Sequence, residues 1–177
     1  MSQEGWSTLS SRRRVLAVVP AFALAACGFR PMYGPQPDAA VAGLETVSVG
    51  RIGERNGQLL RRNLEQRLGR GGVPARYDLR VGLSYGVDLQ GFERDGTPSR
   101  VRMTATANWF LYTAGTAPRL VAQGTDRAFD AYNLPDNQFF AADAARDAAE
   151  RRLVDQLASD IVQRLAVRFE AGPPQAS

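Results

Sequence analysis

The residues able to do chemistry in this chain are few in kind. Histidine is absent, cysteine occurs once as Cys27, and all 22 basic residues are arginine, set against 18 Asp and Glu. Without histidine no Ser-His or Cys-His nucleophilic pair can be assembled, and one thiol cannot build a zinc site of the usual kind. An enzyme would have to work with carboxylates alone, and no glycine-framed nucleophile or paired-acid motif occurs. Asp126, Asp130 and Asp136 have the most suggestive acidic spacing, but they lack the close alternation of an EF-hand loop. Strand-end and turn roles fit them better. The chain therefore reads as a non-enzyme with no metal and no cofactor. Its arginines can still bind, since each planar fork matches phosphate or carboxylate.

The formal charge is +4, but Arg12, Arg13 and Arg14 precede the main body of the chain, with Glu4 as the one acid there. The remainder is close to balanced and carries no basic block or nucleic-acid motif, which argues against a role on DNA or RNA. At 177 residues, 44% hydrophobic and 23% charged, it is predicted to form one globular domain.

Cys27 ends the apolar run Val15 to Ala26, which follows the three arginines. As a helix that run is about 18 Å long, too short to cross a bilayer, and Pro20 interrupts it. The order of basic, apolar and small residues is that of an export leader. Leu24-Ala25-Ala26-Cys27 resembles the lipobox of bacterial lipoproteins. The resemblance implies a leader over residues 1–26, diacylglycerol on the Cys27 thiol and a further acyl chain on the new amino terminus. Two or three chains anchor a protein firmly where one is marginal. Gly28, rather than Asp, after the cysteine favours the outer membrane. Ser11 to Leu16 also resembles a twin-arginine signal, so both export routes stay open.

Residues 27–43, with Pro31, Pro35 and Pro37, read as an extended lipidated tether, and the domain is predicted over 44–170 with a frayed tail at 171–177. Leu44 to Ile52 is rich in β-branched residues and predicts a first strand. A helix follows, with Asn56 as its cap, Leu60, Leu64 and Leu68 on one face, and glycines at its end. From Tyr77 to Leu89 apolar and polar residues alternate strictly, which predicts a long strand with one buried face. A third strand places Val101, Met103, Ala105, Ala107, Trp109 and Leu111 on one face and Arg100, Arg102, Thr104, Thr106 and Asn108 on the other. Leu120 to Tyr132 reads as a fourth, and a long helix from about Asn137 to Phe169 carries Leu153, Leu157, Ile161 and Leu165. The predicted class is α+β, order βαβββα: a four-stranded sheet with both helices packed on one face.

"CGFRPMYG" from Cys27 to Gly34, a domain of this order and size, and the final run "QLASDIVQRL" together resemble the LPS-assembly lipoprotein family LptE in its alphaproteobacterial form. The resemblance spans essentially the whole chain after the leader. It implies a lipid-anchored protein facing the periplasm from the outer membrane, plugging and helping to assemble a large β-barrel, LptD, and assisting insertion of lipopolysaccharide. Only Cys27 carries over residue by residue. A rival of the same size is an accessory lipoprotein of a lipid-transport ABC system, which would have a permease rather than a barrel as partner.

Two sets of residues are candidate contacts. Arg80, Arg100 and Arg102, with Arg94 in the adjoining turn, share the polar strand face and its edge, where they could meet glycolipid phosphates or acidic groups of a barrel. A merely solvated strand face is the plainer reading. Phe29 and Tyr33, beside the lipidated cysteine, suit the membrane interface or a barrel wall, and packing on the protein's own domain accounts for them equally well.

Overall fold

The structure, a computed structural model, describes residues 39–69, 72–135 and 138–172. Cys27, Phe29, Tyr33, Asp136 and Asn137 lie outside them, as does the leader. The chain order is α1 (Ala39–Leu44), β1 (Val47–Val49), α2 (Glu54–Leu68), β2 (Tyr77–Phe92), β3 (Pro98–Thr113), β4 (Leu120–Asn133) and α3 (Phe139–Glu170). The strands form one sheet in the order β1-β2-β3-β4, with β1 parallel to β2 and the rest an antiparallel meander.

The expected class holds, with a helix added in front. Helical structure starts at Ala39, so Leu44 closes a helix and the first strand is only Val47–Val49. The segment is made of small residues, and this lets it approach α3 closely. A Cβ on Gly43 would stand 2.5 Å from Cγ of Phe169, so the glycine is what permits the contact. Asn56 is not a cap: α2 begins at Glu54, and the Asn56 amide donates instead to Glu150 on α3 (2.9 Å). Gly69, at φ 66°, ends α2 in the left-handed conformation that glycine tolerates best.

The core lies between the sheet and the helices. Leu60, Leu64 and Leu68 of α2 and Leu153, Leu157, Ile161 and Leu165 of α3 are fully buried against Val47, Leu79 and Leu111. Trp109 lies on the backbone of Gly124, where a Cβ would come within 2.5 Å of its ring. Its indole N–H donates to Asp126 (2.8 Å), and that carboxylate also receives Arg164 of α3. The two acids singled out on β4 thus hold the long helix down: Asp126 through Arg164, and Asp130 through Arg152 (2.7 Å).

One face of β2 is not buried throughout, contrary to its alternation. Tyr77, Leu79 and Val81 are buried, but Val87 and Leu89 on the same face are more than half exposed. The reason is length. β2, at 16 residues, spans about 53 Å, whereas α2, at 15, covers about 22 Å. The far half of the β2–β3 hairpin therefore extends past α2.

At the margin of this cover stands Tyr85, opposite Ala105. Its hydroxyl is buried and makes no well-formed hydrogen bond, although the Asn56 amide, which donates to Glu150, lies near enough to offset part of the rise in its pKa. Burial first, and the Glu150 charge second, push its pKa up to about 12. The native state thus holds this proton more tightly than the unfolded chain, whose tyrosine titrates near 10.0. The resulting stability is complete below pH 10 and is lost as pH rises toward 12. Tyr85→Phe removes the orphan hydroxyl and is expected to be neutral or stabilising by up to about 1 kcal/mol at pH 7. Melting curves between pH 8 and 11.5 should fall less steeply above pH 10 for the variant; parallel curves would contradict this account.

Candidate functional site

The meander presents a polar outer face, away from the helices. On β3 it carries Arg100, Arg102, Thr104, Thr106 and Asn108, all partly or well exposed. The register shows which predicted arginines the fold brings together. Arg100 stands between Gln90 and Asn133, and Arg102 between Asp88 and Ala131. Arg94 lies in the turn just beyond, so these three share one end of the sheet.

That turn is built by its own residues. Glu93 N–H donates to Thr97 O (2.8 Å), Gly96 sits at φ 85°, and Asp95 accepts from both the backbone and hydroxyl of Thr97 (3.0 and 2.7 Å). Those Thr97 hydrogen bonds hold the Asp95 carboxyl below its ordinary range. A defined turn gives Arg94 a fixed base beside Arg100.

Arg80 does not belong to the group. It pairs with Phe110, eight ladder steps from the position opposite Arg102, or about 26 Å along the strand. There it is already occupied: Nε contacts Asp78 at 2.9 Å, and the guanidinium lies 4.7 Å from the centre of the Tyr112 ring. Its role at that end is to hold strand-face neighbours together.

Two residues not singled out from sequence join the outer face. Arg127 stands opposite Thr106, and Phe129, 59% exposed, opposite Thr104. The signal was in β4, where Gln123, Thr125, Arg127 and Phe129 alternate with Gly124, Asp126 and Ala128. At the hairpin end Phe92, 63% exposed, adds apolar surface to the same face, while exposed Val87 and Leu89 lie on the helix side of the sheet, and Phe139 and Phe140 at the start of α3 are 80% and 92% exposed. Forked cations beside uncovered apolar groups suit an amphiphile with anionic headgroups. Among the described residues no group of three acids or cysteines could hold a metal, and no helix is long and apolar enough to cross a membrane.

Comparison with solved structures places this architecture. A candidate lipoprotein from Caulobacter crescentus CB15 is 25% identical, with a TM-score of 0.61 over 78% of this chain and 100% of its own. The rare lipoprotein B from Shewanella oneidensis (13% identity, TM-score 0.53, 70% of this chain and 93% of its own) shares the fold. So does a minor lipoprotein from Acinetobacter baumannii (18%, TM-score 0.53, 71% and 92%). No curated protein sequence matches the chain. The family described as "LptE: Lipopolysaccharide-assembly" matches residues 44–165, which take in every strand and most of α3. The chain belongs to the LptE lipopolysaccharide-assembly family.

Proposed function

We propose that this protein is a lipoprotein of the outer membrane, anchored through acyl chains on Cys27, that plugs and helps to assemble an LptD-type β-barrel and assists insertion of lipopolysaccharide into the outer leaflet. Family membership carries the reading. It also favours lipopolysaccharide assembly over the accessory role in an ABC transporter. The lipobox at Leu24 to Cys27 supports the anchor, and the absence of Asp after Cys27 supports the outer membrane.

Within that function, Arg94, Arg100 and Arg102 are the proposed contacts for glycolipid phosphates. The observation behind this choice is their convergence at one end of the sheet, beside exposed Phe92 on the same face. Phe29 and Tyr33 are proposed to lie against the membrane interface or the barrel wall, next to the anchor. Changing both to Ser should then lower the yield of the membrane complex.

The arginine assignment has a built-in control. Replacing Arg100 and Arg102 together by Gln should weaken lipopolysaccharide binding roughly tenfold or more, since charge-assisted hydrogen bonds to phosphate are each worth about 1.5–3 kcal/mol before solvent screening. Arg80→Gln should leave it unchanged. Binding of both variants to purified lipopolysaccharide, measured against the parental protein, decides the matter. A loss from Arg80→Gln of about half the free energy lost in the double variant would mean that net charge alone is sensed, and no loss from the double variant would remove these residues from the site.

A further inference from the structure

β4 is an edge strand. The backbone N–H of Leu134 donates to Ser99 O (2.8 Å), and the pairs Val101–Tyr132 and Met103–Asp130 continue in step. Bonded and non-bonded pairs alternate along an antiparallel ladder, so the even-numbered residues of β4 bond to β3. Gln123, Thr125, Arg127, Phe129 and Ala131 therefore direct their N–H and C=O groups outward.

The two halves of this edge differ. At Ala131 the outward N–H is taken by the Asp130 carboxylate (2.7 Å), which also receives Arg152. That end is blunted in the way edge strands usually are. From Gln123 to Phe129 no backbone group of another element reaches the edge among the described residues. No proline falls within β4, and the register irregularity of the β3–β4 pair lies at Leu111 and Tyr112, at the start of the strand.

Beside the open half, β4 and the C-terminal half of α3 enclose a groove of about 760 Å³. Its lining includes Gln123, Arg127, Asp160, Gln163, Val167 and Arg168. Arg164, also in the lining, is bound to Asp126. Neither Arg127 nor Arg168 forms an ion pair among the described residues.

We propose that this edge and groove receive an extended, acidic segment of a partner protein, which adds to the sheet as a fifth strand alongside β4. A row of outward donors and acceptors at strand spacing is matched by another backbone and by no lipid headgroup. From Gln123 to Phe129 the row is about 20 Å long, enough for six or seven residues. Arg127 and Arg168 outweigh Asp160, the acid of the lining that is unpaired among the described residues, and so favour acid on that segment. A second copy of this chain fits poorly, because it would bring its own Arg127 to the same edge. The inference does not depend on glycolipid binding, and any envelope protein with such a segment satisfies it.

The test is residue-resolved amide hydrogen exchange on the full lipoprotein, alone and in the complex purified from membranes in mild detergent. In the complex, exchange at Gln123, Thr125, Arg127 and Phe129 should slow by about 100-fold or more, with no such change at Ser84 or Gly86 of β2. Thr125→Pro removes an outward N–H and the exposed hydroxyl bond to Asn108 (2.8 Å) but no backbone bond to β3, so it should abolish the protection while lowering the melting temperature only slightly. Should it unfold the protein, Arg127→Glu with Arg168→Glu serves instead, since it leaves the backbone intact and is expected to release the segment. Equal exchange in both states overturns the proposal, as does a lipoprotein that purifies alone. Protection that grows with concentration in the isolated protein assigns the edge to a second copy, and protection by lipopolysaccharide micelles alone assigns it to lipid; either result also overturns it. A partner that protects the edge but is not a β-barrel leaves this inference standing and contradicts the function proposed above.

Discussion

Cys27→Ala is expected to abolish lipidation and to leave the leader uncut. Each methylene buried in a bilayer contributes about 0.8 kcal/mol, so two or three acyl chains dominate the membrane affinity of a protein whose described helices cannot cross a bilayer. No other thiol can substitute, because Cys27 is the single cysteine. Intact-mass measurement on protein extracted from cells reads the outcome directly. The parental chain should lack residues 1–26 and carry added acyl mass, and the variant should show the unmodified precursor. A parental chain with the leader removed at another bond and no added lipid would contradict the anchor. Arg12→Gln with Arg13→Gln, by separating the twin-arginine pattern from a plain basic leader, would then show which export route the chain takes.

The second large effect concerns the cluster of Trp109, Asp126 and Arg164. Asp126 is 4% exposed, and its two partners are the Trp109 indole and the Arg164 guanidinium. The two sides of the ion pair are unequal, because the Arg164 side chain is 59% exposed while that of Asp126 is 4%. Removing Arg164 strands a buried carboxylate with one neutral donor, whereas removing the carboxylate charge lets the arginine return to water. Arg164→Met should therefore destabilise the domain by roughly 2–3 kcal/mol, below the cost of breaking a fully buried pair because the arginine side is hydrated. Asp126→Asn keeps an acceptor for the indole and should cost only about 1 kcal/mol. In the double variant the stranded charge is gone, so its stability should exceed that of Arg164→Met alone. Urea denaturation of all four proteins checks the order. Strict additivity would show that the charge is not the source of the effect.

Much of the fold was legible because its strands bury one face. Strict alternation in β2 and β3 and the four-residue repeats of α2 and α3 report directly which side meets the core. The alternation could not report how far the helices reach, and so it overstated the burial of Val87 and Leu89. That limit is a tertiary fact, a strand longer than the helix above it. Short helix α1 was hidden for a similar reason. Ala39 to Leu44 has no periodic apolar stripe, and its helix is held by contact with α3 through Gly43 and Phe169. Asn56 looked like a cap because its type favours that position, and its amide serves an interhelical bond to Glu150 instead.

The candidate site was half legible. Arg100 and Arg102 share a face by period two alone, and Arg94 follows from its place in the turn. Separating Arg80 from them required the register, which sets it beside Phe110 and far from Asp88 and Gln90. Likewise the pairing of Asp130 with Arg152, and the open edge it leaves beside it, depends on where α3 crosses β4. Sequence spacing carries no information about that crossing.

The role proposed for this lipoprotein is to work with an outer-membrane barrel in lipopolysaccharide assembly. Affinity purification of the intact, lipidated chain from outer membranes, with partners identified by mass, tests it most directly. One large β-barrel protein is expected in stoichiometric amount, with lipopolysaccharide in the complex and less of it when Arg100 and Arg102 are both Gln. An ABC permease or a substrate-binding subunit in place of the barrel would contradict it.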